Sequence, residues 1–225
     1  MPVPMKKSSP GNKPRKVLII APHPDDETIG CGGALCLHAG RGDELAAVYL
    51  TSGELGLKQL SRRKAWQTRE QEAGRAARIL GISRSFFFRL PDWYVTDHVE
   101  EAAGKLGPVL ERWKPDLLYL PHALEWHPDH KAALPILQMA LRAARLPGPA
   151  ARAYEVWTPL TEYDQVEDIG AVMARKLRAL RAHRSQLTEF DYLRAVSGLN
   201  QFRGALAARC DYAEVFQSVD LTPAT

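Results

Sequence analysis

The order of apolar and amphipathic segments predicts an α/β protein of Rossmann-like architecture, a mostly parallel sheet flanked by helices. Two observations carry this. Short, continuously apolar runs alternate with stretches of helical periodicity, as expected of strands covered on both faces and joined by right-handed crossovers. The runs also end in turns that place Pro or Gly beside His, Asp or Glu, at 21–27, 51–54, 91–92 and 121–130. Open parallel sheets bind their ligands outside those carboxyl ends. A length of 225 residues with 45% hydrophobic and 25% charged content suits a single domain, expected over 17–220.

Taken in order, residues 1–16 mix Pro, Ser, Gly, Asn and Lys and hold Lys6, Lys7, Lys13, Arg15 and Lys16 with no acid, so a disordered tail is expected there and a short second tail at 221–225. Without the tail's cations the +4 chain is nearly neutral, which argues against a nucleic-acid groove despite a sequence pI near 9.0. The tail lacks the apolar segment of a secretory signal and no later run is long enough for a membrane span, so the expected location is cytoplasmic. Cys31, Cys36 and Cys210 are an odd set without Cys-x-x-Cys spacing, so no disulfide framework is expected, and Cys31 beside glycines reads as a packing residue.

Val17-Leu18-Ile19-Ile20 is the first strand, and Ile29, Gly33, Cys36 and Leu37 follow it at helical spacing up to Gly40. A second strand over 45–50 ends in Thr51-Ser52-Gly53-Glu54. A helix over 62–80, with Trp66, Ala73, Ala77 and Leu80 on one face, is stopped by Gly81. The third strand, 86–90, runs into Pro91-Asp92. Val99, Ala102, Ala103, Leu106, Leu110 and Trp113 mark a helix that Gly107-Pro108 should weaken or kink. A fourth strand over 117–120 closes on Pro121-His122, Pro147-Gly148-Pro149 breaks the following helix, and 154–158 and 171–183 read as one more strand and helix. Gly30, Gly32 and Gly33 lack the dinucleotide-binding spacing and follow acids that would repel a pyrophosphate, which disfavours a nicotinamide enzyme.

The first turn, Pro22-His23-Pro24-Asp25-Asp26-Glu27, crowds three carboxylates and an imidazole behind a buried strand, an arrangement that calls for a cation. His23 and Asp26 supply two zinc-type ligands, and a catalytic zinc usually takes three from the protein. His127-Pro128-Asp129-His130, after the fourth strand, offers the third in His130 and leaves a position open for water, whose pKa the metal lowers. Fe(II) or another divalent metal also suits such ligands. Asp25, beside that water, is placed as general base; His127, in protonated form, as oxyanion stabiliser or acid; Asp129 as support for His127 or for a ligand. Glu27 reads as a helix-start or supporting acid, whereas His38, His98, His122 and His183 are expected to pack or face solvent.

At these residues the sequence resembles the LmbE-like, or PIG-L, family of zinc-dependent N-acetylglucosamine deacetylases over about residues 16–220. The two histidine motifs carry most of the resemblance, with Thr51-Ser52-Gly53-Glu54, Arg69-Glu70, Leu80-Gly81, Leu90-Pro91-Asp92, Ser185-Gln186, Ala213-Glu214 and Phe216 following in order. The resemblance implies the LmbE-like fold, zinc on His23, Asp26 and His130, Asp25 as base and His127 as the electrophilic or acid histidine. It also implies that Arg69, Asp92 and Glu54 belong to the substrate-binding side of the site, and that the protein is a homo-oligomer. One departure is Glu125, where the family often has Asp. The expected activity is removal of acetyl from an N-acetylglucosamine-type sugar or glycoconjugate, against two alternatives: an amidase for a thiol-sugar conjugate or other amide, and a metal-containing binding module without turnover.

Overall fold

The first apolar run is β1 (Lys16–Ala21), and it lies inside a seven-stranded sheet in the computed structural model, which describes residues 13–221. All of Val17 to Ala21 is fully buried: Leu18 and Ile20 pack against one helical layer, and Val17, Ile19 and Ala21 against the other. Burial on both faces is why the run reads as continuously apolar. After it come α1 (Asp26–Gly40), β2 (Glu44–Thr51), α2 (Arg62–Leu80), β3 (Ile82–Leu90), α3 (Val99–Trp113), β4 (Leu117–Pro121), α4 (Pro128–Ala143) and β5 (Ala150–Tyr154). Then follow β6 (Gln165–Asp168), α5 (Met173–Leu180), α6 (Tyr192–Arg203) and β7 (Ala213–Ser218).

The strand order is β3-β2-β1-β4-β5-β7-β6. The five strands from β3 to β5 pair in parallel, and β7 is antiparallel to both β5 and β6. The mostly parallel sheet is therefore as expected, with an antiparallel edge that sequence periodicity did not show. Helices α3 and α4 cover one face, α1, α2 and α5 the other. The chain goes one way from β1 to β2 and β3, and the other way to β4, so the topological switch lies between β1 and β4, where crevices open in such sheets.

Several local expectations shift. Residues 1–12 of the predicted basic tail and 222–225 of the second tail lie outside the described residues, but Arg15 and Lys16 join the fold: their backbone N–H groups donate to Asp43 and Asp116 carboxylates at 2.9 and 2.8 Å. Helix α3 runs through Pro108, because that residue and Gly104 one turn before it are on the exposed side, where water satisfies the carbonyl left without a partner. The strand expected at 154–158 instead ends at Tyr154, since the N–H groups of Val156, Trp157 and Thr158 all donate to Glu125 Oε1 at 2.8, 3.0 and 3.3 Å. The helix expected over 171–183 is α5, shorter at both ends, with a 3₁₀ turn at Gly170–Val172 before it.

The glycines of the first turn serve close packing. A Cβ on Gly30 would stand 2.2 Å from the Tyr154 ring, whose hydroxyl donates to Ile20 O at 2.9 Å and ties β5 to the end of β1. Deeper in this layer Lys176 is fully buried, donating to Ile29 O, Asn200 Oδ1 and Glu214 Oε1 at 2.8, 2.8 and 2.7 Å. Glu214 also accepts the N–H groups of Gly33 and Ala34, each at 2.7 Å, so α1, α5, α6 and β7 share one buried ion pair. Lys176→Met strands that carboxylate and should lower stability by roughly 3–5 kcal/mol, measured by urea unfolding.

Candidate active site

Both histidine motifs arise at helix starts on the switch-point side of the sheet. Asp25 precedes α1 with φ 133° and ψ −25°, a conformation that L residues rarely adopt, and its side chain makes no capping hydrogen bond. The carboxylate turns instead to Arg69 of α2, whose Nη2 donates to it at 3.3 Å and to Pro24 O at 2.7 Å. Strain of this kind needs surrounding bonds to hold it. Here Glu27 accepts the Asp25 N–H at 3.2 Å, and Thr28 and Ile29 donate back to Asp25 O, each at 2.9 Å. Gly53, with φ +61°, leaves the space: a Cβ there would lie 2.9 Å from Arg69 Nη2. In the second motif Pro128 opens α4 and His127 is its N-cap, Nδ1 accepting the Asp129 N–H at 3.2 Å.

The motifs meet in a triangle. His23 Nδ1 and Asp26 Oδ2 are 3.2 Å apart, His130 Nε2 and Asp26 Oδ2 3.2 Å, and His130 Nε2 and His23 Nδ1 3.3 Å. Donors about 2.0–2.1 Å from a tetrahedral ion stand about 3.3 Å from one another, so this N,N,O face fits zinc, with Fe(II) the other suitable occupant. His23, His127 and Asp129 form a second close group that shares His23. In the first group the other ring nitrogen of His23 is already engaged, Nε2 lying 3.1 Å from Asp92 Oδ1 and 3.2 Å from Asp129 Oδ2. A metal-ligating imidazole is normally backed by carboxylate in this way.

The remaining expected residues divide between bracing the site and packing elsewhere. Asp92 is committed to His23 and to the Leu55 N–H, the latter at 2.9 Å, and Arg69 to Asp25. Both residues line the cleft, yet their present bonds brace the site. Glu54 pairs with Arg62 at 3.2 Å and is not among the cleft-lining residues. Asp129 supports His23 through its side chain and His127 through its backbone, and its two oxygens take the N–H groups of Trp93 and Val95 at 2.8 and 3.1 Å. Cys31 donates to Glu27 O within its own helix, away from the triangle. His38 is buried between Asp43 and Tyr119, His98 pairs with Glu101, His122 spans Leu124 N–H and Thr158 O, and His183 is buried near Glu27 and Thr28.

The electrostatics separate adjacent carboxyl groups. Burial pushes Asp25 up to about 7, against the lowering influence of Arg69. Burial also opposes ionisation of Asp26, but the His130 and His23 imidazoles outweigh it and hold that carboxyl well below its usual range. His23 is raised well above its ordinary value, the Asp129, Asp26 and Asp92 carboxylates overcoming burial. His127 is depressed to about 4 by burial and by His23 and His130, which favours a neutral ring over the protonated one expected from the sequence. With Nδ1 accepting from the backbone, its proton sits on Nε2.

A cleft of about 670 Å³ opens over the triangle. Trp93, 4.4 Å from His127 between ring centroids, begins a row of aromatic rings that continues through Trp126, Trp157 and Phe190 at steps of 6.1, 6.2 and 5.9 Å. Trp93, Trp126 and Phe190 are about half exposed. Gly53, Lys58, Gln59 and Gln186 also line the cleft. None of these aromatics was expected at the site from sequence; Trp93, Trp126 and Trp157 had the signal of loops that follow strands, whereas Phe190, between α5 and α6, had none.

A buried His₂Asp face beside a carboxyl group of raised pKa, at the switch point of a parallel sheet, defines an α/β enzyme with a metal-type centre. The family described as PIG-L: GlcNAc-PI de-N-acetylase matches residues 18–141, and the chain belongs to that family, also called LmbE-like. The chain is 29% identical over 204 residues to diacetylchitobiose deacetylase of Thermococcus kodakarensis, covering 82% of this chain and 74% of the relative. The structure of N,N'-diacetylchitobiose deacetylase from Pyrococcus horikoshii superposes with a TM-score of 0.80 at 25% identity, over 92% of this chain and 84% of that one. A third relative, 4-oxalmesaconate hydratase of Pseudomonas putida, is 30% identical over 241 residues, 92% of this chain and 91% of the relative. No helix among the described residues is long and apolar enough to cross a membrane.

Asp26→Asn removes the anionic corner of the triangle. Bound zinc or cobalt after equilibrium dialysis, read by elemental analysis, should fall from near-stoichiometric to near zero.

Proposed function

We propose that this protein is a zinc-dependent hydrolase that removes the acetyl group from an N-acetylglucosamine-type amino sugar or glycoconjugate. The observation that carries the reading is Asp25, a carboxyl group near neutrality, set beside the His23–Asp26–His130 triangle in a cleft. The diacetylchitobiose deacetylases among its relatives support a sugar amide as the substrate. A divalent cation on His23 Nδ1, Asp26 Oδ2 and His130 Nε2 supplies, when bound, Lewis acidity toward an amide carbonyl and toward water.

The chain's own groups then divide the proton work. The Asp25 carboxylate accepts a proton from the attacking water as the water oxygen adds to the acetyl carbon. Arg69 holds that carboxylate in place, and Asp92 and Asp129 fix the His23 ring. The Nε2–H of His127 donates to the oxygen on which negative charge develops, a role that suits a neutral imidazole. When the C–N bond breaks, Asp25 returns its proton to the nitrogen, releasing acetate and a free amine. The aromatic row suits the apolar face of a pyranose ring or aglycone beyond the reacting sugar, and the Gln59 and Gln186 amides in the same cleft suit its hydroxyl groups.

The hydratase relative favours one second reading, addition of water to a carbon–carbon double bond in a carboxylated small molecule. Such a substrate needs cationic anchors. Among the described residues lining the cleft, the Lys and Arg side chains are Lys58 and Arg69, and Arg69 is turned onto Asp25. Acetate release from acetylated chito-oligosaccharides, without hydration of unsaturated dicarboxylates, is the expected result; the reverse pattern would replace the deacetylase reading.

Asp25→Asn should lower kcat by about 10²–10⁴-fold while metal content after dialysis stays unchanged. Arg69→Met removes the charge that lowers the Asp25 pKa. Because the base works deprotonated, the acidic limb of the kcat/KM profile should move to higher pH than in the wild type. Trp126→Ala should raise KM for a disaccharide substrate by about 2- to 10-fold with little change in kcat, in steady-state assays comparing mono- and disaccharides.

A further inference from the structure

Beneath the triangle, two buried polar atoms face one another without a hydrogen-bond partner: His130 Nδ1 and Glu125 Oε2, 3.8 Å apart. Both side chains are fully buried. The aim of Glu125 is fixed from behind, because Oε1 accepts the N–H groups of Val156, Trp157 and Thr158 where the chain leaves β5. His122, the other imidazole nearby, approaches only Oε1, at 3.6 Å, and spends Nε2 on Thr158 O at 2.7 Å. Oε2 is thus left pointing at the back of the His130 ring.

A ligating imidazole must offer the lone pair of one nitrogen, so its proton resides on the other. His130 presents Nε2 to the triangle, which places the proton on Nδ1 and makes that atom a buried donor. An unpaired buried donor is costly, whereas a carboxylate in front of it makes a charge-assisted bond and raises the basicity of the ligand. Closing the gap to a usual length of about 2.8 Å takes a shift of about 1 Å. His23 is backed in the same manner by Asp92 and Asp129.

We infer that Glu125 is a positioning residue for the metal centre: it fixes His130 in the Nδ1–H tautomer through Oε2 while clamping the loop after β5 through Oε1. The inference rests on the proposed metal site. It also gives a reason for Glu at this position, where the resemblance leads one to expect Asp, since the side chain must span from three backbone donors on one side to an imidazole on the other.

Glu125→Gln tests it. The amide oxygen can keep the three backbone bonds, but its NH₂ then faces His130 Nδ1, and rotating the amide only moves the mismatch to the backbone side. Zinc affinity, measured by competition with a chromogenic chelator, should fall about 10–100-fold, with the thermal midpoint of the metal-free protein unchanged. In the zinc-loaded wild type, the His130 Nδ1–H should appear in ¹⁵N spectra as a downfield, slowly exchanging ring proton. A variant with wild-type zinc affinity, or a His130 Nδ1–H in the wild type that exchanges as fast as an exposed ring proton, overturns the inference alone. A wild type that binds no zinc overturns the metal reading and this inference with it. If Glu125→Gln fails to fold, the wild-type spectrum decides.

Discussion

The burial of several carboxylates around one imidazole, at the point where the sheet reverses its strand order, is the constraint on which the rest of this structure depends. Asp26, Asp92 and Asp129 all lie within 3.2 Å of a nitrogen of His23. Carboxylates this close repel unless each finds donors or a cation. The donors come from every neighbouring loop: Leu55 after β2, Trp93 and Val95 after β3, and His23's own N–H to Asp26 at 2.8 Å. The acids gathered around His23 are therefore the same groups that fasten together the loops after β1, β2, β3 and β4. Glu125 extends this to β5, where its bonds end the strand and hold the loop that carries Trp157.

Asp25 and Asp26 are adjacent in sequence yet act in opposite electrostatic senses. Asp26 is held well below its usual range by two imidazoles; Asp25, equally buried but with Arg69 as its main cationic partner, is raised to about 7. Pairs of carboxyl groups driven apart by their environments are how one site holds a ligand and a proton carrier together. The unusual backbone at Asp25 accompanies the divergence: the carboxylate makes no capping bond to the first turn of α1 and meets Arg69 instead. Glu27, buried and pushed up to about 7, anchors the strained peptide from inside.

The relatives of this chain include deacetylases and a hydratase, each similar to it over most of its length. The two histidine motifs meet at the cleft. The cleft lining combines the rings of Trp93, Trp126, Trp157 and Phe190 with the amides of Gln59 and Gln186.

The α/β class, the central strand and the two motifs were legible from sequence because each rests on local rules: burial on both faces writes an apolar run, and ligand chemistry writes His and Asp at short spacing. That His23, Asp26 and His130 come together was expected from ligand chemistry and the switch-point rule. What sequence could not supply was orientation across elements. Whether Asp92 and Arg69 meet substrate or brace the site depends on partners 69 and 44 residues away in the chain. The antiparallel edge β7–β6 and the early end of β5 depend on long-range pairing and on Glu125. The lowered pKa of His127 depends on burial and on His23 and His130 brought beside it, and its tautomer on which nitrogen meets a backbone N–H. The aromatic row exists only once four separate loops are brought side by side. By itself the sequence determined the chemical groups and the strand ends that carry them; tertiary structure decided their partners, because a hydrogen bond or a pKa belongs to a pair of neighbours in space rather than to a residue.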